Sequence, residues 1–256
     1  MKVSIITVVF NGAATIRDSI ESVLAQTYTD IEYIIIDGKS TDGTVEIVQS
    51  YGAKIAYFQS GPDKGLYDAM NKGICRATGD IIGILNADDF YRNQNVIAHL
   101  VQRFKDTGAD GVYADTVYVD ALDTNRIKRY WQANPYRPGA FRWGWMPPHQ
   151  TFFVKRSVYE RFGYFSLDLG SAADYELMLR VIHKNGIHLE YLPEVVVVMR
   201  VGGISNRSIA NRLAANRNDR KAWEINGLKP YFFTLWLKPL HKILQFVRRP
   251  NADSST

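Results

Sequence analysis

Apolar and polar positions alternate in blocks along the first hundred residues, and the blocks carry two different periods. Val3–Phe10 is a run rich in β-branched residues that stops at Asn11-Gly12, which predicts a buried strand. Ile16, Ile20, Val23 and Leu24 follow at i, i+4, i+7 and i+8, one face of a helix. Ile31–Ile36 predicts a second strand, which runs into Asp37-Gly38-Lys39-Ser40-Thr41-Asp42-Gly43, and Val45 and Val48 begin the next helical face. Ile55–Phe58 is a shorter strand. Leu66, Met70, Ile74 and Ala77 mark a helix stopped by Gly79 at the C′ position. Ile81–Leu85 is again a strand, and Val96, Ile97, Leu100, Val101 and Phe104 face inward from the helix after it. Apolar strands alternating with helices predict an α/β fold whose mainly parallel sheet is covered on both faces. Ligands of such open sheets bind beyond the carboxyl ends of the strands. Here those ends carry Asn11-Gly12, Asp37 and Asn86-Ala87-Asp88-Asp89.

The second half is less regular. Gly111–Asp120 and Arg126–Trp131 predict antiparallel strands, and the proline-rich stretch 134–148, with Trp143 and Trp145, predicts a loop. Gln150–Val154 resumes a strand, Asp174–His183 is helical, and Val195–Val198 is a further buried strand. From about Asn206 the pattern changes to a basic, aromatic tail. There Tyr231, Phe232, Phe233, Leu235, Trp236, Leu237, Leu240, Ile243, Leu244, Phe246 and Val247 are interleaved with Lys229, Lys238, Lys242, Arg248 and Arg249. That composition suits an amphipathic helix lying in a membrane interface; a C-terminal helix packed on the core is the alternative. Pro239 is expected to kink or break it. No apolar stretch approaches the ~20 residues needed to cross a bilayer. The run after Lys2 is too short for a signal peptide and lacks a small-residue cleavage site.

Composition narrows the picture only at a few points. The net charge of +5 implies an anionic partner, and nucleic acid, phosphorylated small molecules and acidic lipids all qualify. Cys75 is the only cysteine of 256 residues, so an intrachain disulfide and a cysteine-built zinc site are excluded. Beside Ile74 in a helix it is expected to be a small buried residue. Two adjacent carboxylates at a strand end, Asp88-Asp89, repel unless solvent or a cation separates them. Magnesium takes one or two protein carboxylates and completes its shell with water and phosphates; an ordinary surface turn is the alternative. Asp37, directly after Ile34-Ile35-Ile36, is placed to accept hydrogen bonds from a base or ribose hydroxyl, whereas Ser40, Thr41 and Asp42 are ordinary N-cap residues.

Several blocks in order resemble the family-2 glycosyltransferases of the GT-A fold. They are Val3–Asn11, Asp37–Thr44, Asp63-Lys64-Gly65-Leu66-Tyr67-Asp68-Ala69-Met70-Asn71-Lys72-Gly73 and Ala77-Thr78-Gly79-Asp80 with Leu85-Asn86-Ala87-Asp88-Asp89. His149-Gln150-Thr151-Phe152-Phe153 and Ala173-Asp174-Tyr175-Glu176-Leu177-Met178-Leu179-Arg180 complete the set. The resemblance spans residues 1–205. It implies a donor nucleotide-binding half, 1–110, an acceptor and catalytic half, 111–205, and a separate helical tail, 206–256. By the same resemblance, Thr7 and Asp37 contact the donor's base, and Asp68 and Asn71 line the donor side. Asp88 and Asp89 form the metal and diphosphate motif, with Asp89 the first choice as metal ligand to Mn2+ or Mg2+, and Asp174 is the catalytic base. His149 and Trp145 are candidates for acceptor or phosphate contacts, and Trp143, like Trp145, is a candidate to stack on a sugar ring, with packing roles as the alternative for all three.

Lys39 stands where many relatives have Gly, and Asn86 replaces an Asp that some carry. The chain also lacks the Gln-x-x-Arg-Trp signature of processive synthases, which implies one sugar per encounter. The implied activity is inverting transfer from a nucleoside-diphosphate sugar to a hydroxyl of a saccharide or lipid-linked acceptor, in cell-surface polysaccharide or lipid-linked oligosaccharide synthesis. A cytoplasmic enzyme, peripheral on the inner face of the cytoplasmic membrane through its tail and without a nucleic-acid partner, is the matching expectation. A sugar-nucleotide pyrophosphorylase would favour a Gly-rich, Arg-containing loop after the first strand, which Asn11-Gly12-Ala13-Ala14 does not offer. A non-catalytic nucleotide-sugar-binding protein would have no use for both Asp88-Asp89 and Asp174.

Overall fold

The computed structural model describes residues 1–202 and 209–247. In chain order the first half runs β1 (Val3–Val9), α1 (Ile16–Leu24), β2 (Ile31–Asp37), α2 (Thr44–Gln49), β3 (Tyr57–Ser60), α3 (Leu66–Arg76) and β4 (Ile81–Asn86). A two-residue β5 (Phe90–Tyr91), α4 (Val96–Thr107), β6 (Gly111–Val119), β7 (Ile127–Trp131), β8 (Phe153–Lys155) and α5 (Arg156–Phe162) follow. The chain continues with α6 (Ala173–Met178), prolonged as a π-helical turn over Leu179–Lys184, then β9 (Leu189–Arg200), α7 (Ile209–Ile225) and α8 (Thr234–Val247).

The strands form one sheet in the order β3-β2-β1-β4-β8-β6-β9-β5, with β7 added on β6. β3, β2, β1 and β4 are mutually parallel, which is the half that the strand–helix alternation predicts. β8 is antiparallel to both β4 and β6, so the sheet is mixed beyond β4. β9 is parallel to β6, and β5 and β7 are antiparallel edges. Side chains of a strand alternate between faces. Accordingly Ile6 and Val8 join one apolar cluster with Met70 and Ile74 of α3, while Ile5 and Val9 join another with Ile16, Ile20 and Ile97 from α1 and α4.

Several local expectations change. β9 is twelve residues long, not the four of Val195–Val198, because Leu189–Glu194 are half-buried or exposed except for Leu192 and give no continuous apolar signal. β3 begins at Tyr57, since Gly52–Lys54 form a 3-10 turn that displaces Ile55. Cys75 is exposed: it lies about 100° around α3 from Ile74, off the buried stripe Ala69, Met70, Gly73 and Ile74. Gly79 is no helix cap. α3 ends at Arg76, and Gly79 is needed because a Cβ there would stand 2.7 Å from the Ser4 backbone nitrogen. α8 runs continuously through Pro239.

The tail docks on the core. Trp223 of α7 is completely buried and donates its indole N–H to the Tyr175 hydroxyl at 2.8 Å. Asn226 Nδ2 donates to Glu176 at 3.0 Å, Thr234 Oγ1 to the Arg142 carbonyl at 2.6 Å, and Lys238 pairs with Asp219 at 2.7 Å. Trp223 and Leu235 thereby belong to the same apolar cluster as α3 and α6. The expectations for Asn206, Arg248 and Arg249 lie outside the described residues, as do those for the side chains of Leu240, Lys242, Ile243, Leu244 and Val247. Among the described residues no helix is long and apolar enough to cross a membrane.

Candidate active site

Parallel register sets the first half of the crevice. Val9 pairs with Asp37 on one side of β1 and Val8 with Asn86 on the other. Asp37 and the Asn86–Asp89 turn therefore end at one level, two strand spacings or roughly 10 Å apart. Asp37 is buried, and its carboxylate accepts from the Ser40 backbone N–H at 3.0 Å, from the Ser60 hydroxyl at 2.6 Å and from the Ser40 hydroxyl. A carboxylate has about four acceptor positions, and three of those of Asp37 are filled from within the protein. The two strand-end loops are laced together: Thr41 N donates to Asn11 Oδ1 at 2.9 Å and Ala13 N to Asp42 Oδ2 at 2.9 Å. Lys39 holds a positive φ of 68° in this loop, a conformation that favours glycine. Thr7 is not at the crevice surface: it is fully buried within β1, its hydroxyl 3.1 Å from that of Tyr33.

The Asp88-Asp89 turn is held from the far side of the sheet. Phe90 pairs with Val198 and Val119 with Arg200, which brings β4's end, β6's end and β9's end together. Arg200 donates to the Asp88 carbonyl at 2.8 Å, bonds Asp18 of α1 and lies 5.0 Å over the Phe90 ring. Asp89 is almost fully buried, and burial together with the neighbouring Asp88 charge pushes its carboxyl well above the ordinary range, against the Asn86 bond and the Arg200 charge. Asn86 Nδ2 donates to Asp89 Oδ2 at 3.3 Å, while Asn86 Oδ1 is buried with no hydrogen-bond partner. Two carboxylates and a free amide oxygen form an all-oxygen donor set, the kind that hard divalent cations take. The residues present thus fit a Mg2+ or Mn2+ ion that completes its shell from a diphosphate, although no group of three His, Cys, Asp or Glu side chains occurs among the described residues.

The other candidate residues lie on α3, β6, β7 and α6 and in the loop before β8. Asp174 lies in the first turn of α6 and accepts from the Tyr175 N–H at 2.7 Å. Burial and then the Asp174 charge push the Tyr67 hydroxyl up. Tyr118 of β6 is pushed up to about 12 by burial; Arg129 opposes that shift, and Asp89 and Asp174 both add to it. One tyrosine thus senses both carboxylates, which are far apart in sequence. Arg129, its cross-strand partner on β7, stacks 3.8 Å from the Tyr118 ring centroid and 5.8 Å from that of Phe246 in α8. His149 sits in a one-turn helix after Pro147-Pro148; burial lowers its pKa against the Asp174 charge, and its Nε2 is buried without a partner.

The remaining candidates are engaged in structure. Asp68, in the first turn of α3, accepts from Lys64 N at 3.0 Å and pairs with Lys72 at 3.0 Å. Asn71 exchanges two bonds with the Phe165 backbone, at 2.9 and 3.0 Å. Trp145 donates to the Ala133 carbonyl at 2.8 Å and packs on Tyr113, Tyr136 and Phe141, whereas Trp143 packs on Tyr231 and Phe233 of the tail. Sequence reasoning passed over Tyr67, Tyr118, Arg129 and Arg200. Tyr67 lay inside a singled-out block; the other three are brought in by strand register, which leaves no local signature. The Ala77–Asp80 block is far from the crevice, at the opposite end of β1. There Glu32 accepts from Ser4 at 2.5 Å, from Thr78 N at 2.8 Å and Thr78 Oγ1 at 2.6 Å, and from Lys2 at 3.0 Å.

Residues 4–163 match Glycosyl transferase family 2. An uncharacterised glycosyltransferase of Mycobacterium tuberculosis is 34% identical over 180 residues, 70% of this chain and 68% of that protein. TarS of S. aureus, residues 1–349 with UDP-GlcNAc, superposes with a TM-score of 0.70 at 15% identity, over 93% of this chain and 69% of that one. The mannosyltransferase PcManGT of Pyrobaculum calidifontis, solved with GDP-Man and Mn2+, gives 0.65 at 21% identity, over 94% and 72%.

Proposed function

This chain belongs to glycosyl transferase family 2, and from that premise we propose that it moves one sugar from a nucleoside-diphosphate donor to an acceptor hydroxyl with inversion at the anomeric carbon. The observation that carries the reading is the parallel register that ends β2 and β4 on either side of β1 at one level, with Asp37 and the Asp88-Asp89 turn at the carboxyl edge of the sheet. In this reading a cation-binding carboxylate and a free base face one crevice from its two halves, the donor half 1–110 and the acceptor half 111–205.

Asp89, with Asp88, would hold a divalent cation, which when bound neutralises the diphosphate as it departs. The structural neighbour with Mn2+ supports that assignment. Asp37 accepts from the base or ribose, and the helix start that carries Asp68 borders the donor. Asp174 takes the proton from the acceptor hydroxyl. In a direct displacement the hydroxyl attacks opposite the nucleotide, so one base is sufficient. Tyr67, beside Asp174, orients the acceptor, and the unpartnered His149 Nε2 is available to an acceptor or phosphate oxygen. The acceptor class is a saccharide or lipid-linked saccharide, with the enzyme peripheral on the inner face of the cytoplasmic membrane.

The test is a transfer assay with UDP-, GDP- and dTDP-sugars in Mn2+ or Mg2+, with the product's anomeric configuration read by NMR. Inversion that chelator abolishes is expected. Retention of configuration, or full activity in excess chelator, overturns the assignment.

A further inference from the structure

Five aromatic side chains at the junction of core and tail have no role in packing the core. Trp143 ends the one-turn helix Ala140–Trp143 and is 58% exposed; Tyr231 is 44%, Phe232 87% and Trp236 69% exposed. Their rings are continuous. Trp143 lies 5.3 Å from Phe233 and 6.1 Å from Tyr231, Tyr231 lies 5.3 Å from Phe233, and Phe232 lies 5.1 Å from Phe233. Trp236, on the first turn of α8, is tied to them through its backbone N–H, which donates to the Phe233 carbonyl at 2.9 Å. Distant parts of the chain thereby build one ridge, and it is a fixed one. The Thr234 hydroxyl is bonded to the Arg142 carbonyl, and Gly144 approaches Lys238 so closely that a Cβ would stand 2.7 Å from its backbone nitrogen. Soluble surfaces rarely carry contiguous apolar patches without a partner.

The charge around the ridge says what the partner is. Between residues 217 and 242 the chain carries Arg217, Arg220, Lys221, Lys229, Lys238 and Lys242 against only Asp219 and Glu224. Arg142 lies 5.5 Å over the Tyr231 ring, and Arg137 and Lys229 are exposed beside the ridge in sequence. Tryptophan and tyrosine settle at headgroup depth, and cations seek the phosphates there. We propose that this ridge docks on an anionic lipid surface, with Trp143, Phe232 and Trp236 entering the headgroup layer. The surface differs from a tail helix lying flat on its leucine face, because Leu235 and Thr234 of α8 are already buried against the core. Docking rests on the glycosyltransferase reading only for its purpose, which is to offer the crevice to a lipid-borne acceptor; the binding itself needs no catalysis.

The experiment uses the full chain and vesicles of phosphatidylcholine alone or mixed equally with phosphatidylglycerol. Sedimentation should show binding to the mixed vesicles, weakened by added salt. The triple variant Trp143→Ala, Phe232→Ala, Trp236→Ala should lose at least about tenfold in partitioning, with its melting temperature preserved because the replaced side chains are exposed. The double variant Trp143→Phe, Trp236→Phe should keep binding but lose quenching by brominated lipids. Failure of the native chain to bind mixed vesicles, or undiminished binding by the triple variant, overturns the proposal. So does a dimer in sedimentation equilibrium that the triple variant converts to monomer, since the ridge would then belong to a second copy. Transfer to a water-soluble acceptor by the double variant Phe232→Ala, Trp236→Ala at the native rate separates this proposal from the assignment of the reaction.

Discussion

At the scale of single residues, chemistry and folding divide the acidic side chains between them. Asp174 could merely cap its helix, a role worth about 1 kcal/mol that asparagine would largely keep. A general base typically contributes about 10²- to 10⁴-fold. Asp174→Asn should therefore fold and bind donor normally while turnover drops by at least about a hundredfold, as steady-state kinetics with donor titration would show; near-native turnover removes Asp174 from the base role. Glu32 is the opposite kind. Burial acts to raise its pKa, but the bonds from Ser4, Thr78 and Lys2 win and hold it at about 2, below the ordinary 4.5. A carboxyl depressed by folding stabilises fully above its unfolded pKa and loses that contribution as pH falls through the folded one. Stability should decline between about pH 4.5 and 2, and Glu32→Gln should lower the melting temperature at neutral pH and flatten that acid limb in denaturant titrations. Asp37, Asp88-Asp89 and Asp174 were legible in the sequence as acids at strand and helix ends. Arg200 and Arg129 were not, because what makes them relevant is register across β5, β6, β7 and β9.

Elements were legible in proportion to how continuously they are buried. β1, β2 and β4 are apolar on both faces and were placed within a residue. β9 and α5 are amphipathic or short and were clipped or missed. The tail's composition is shared by membrane-lying and core-packed helices, so sequence alone could not assign its sides. The structure commits α7 to the core through Trp223, buried against His183 at 5.4 Å and bonded to Tyr175, the residue after Asp174. Trp223→Ala should cost about 3–5 kcal/mol, a fall of roughly 10 °C in melting temperature for a chain of this size. A shift of only a degree or two in calorimetry would mean that α7 does not share the core.

On the scale of the whole molecule, residues 1–110 and 111–205 share one sheet and both large apolar clusters, and the β4–β8 seam is one of several contacts between them. β4 and β8 share only the pairs Ile81–Lys155 and Ile82–Val154, and Arg200 adds a further tie by bonding both the Asp88 carbonyl and Asp18. A nucleotide with its cation would bind in the folded state alone. At a hundred times its Kd such a ligand adds about 2.7 kcal/mol. UDP or GDP with Mn2+ should accordingly raise the melting temperature, and Asp89→Asn should abolish the metal-dependent part of the rise. An equal rise in the variant would place the cation elsewhere.

The Glu32 knot has a consequence for genetics. Of the blocks by which this family is recognised, Ala77–Asp80 serves the sheet's far end, where Thr78 and Gly79 clamp Glu32 and Ser4. Alleles altered there should be conditional, working in cells grown cool and failing in cells grown warm, and an added chaperone should rescue them. Alleles altered at Asp89 or Asp174 should fail at every temperature, with the protein still abundant.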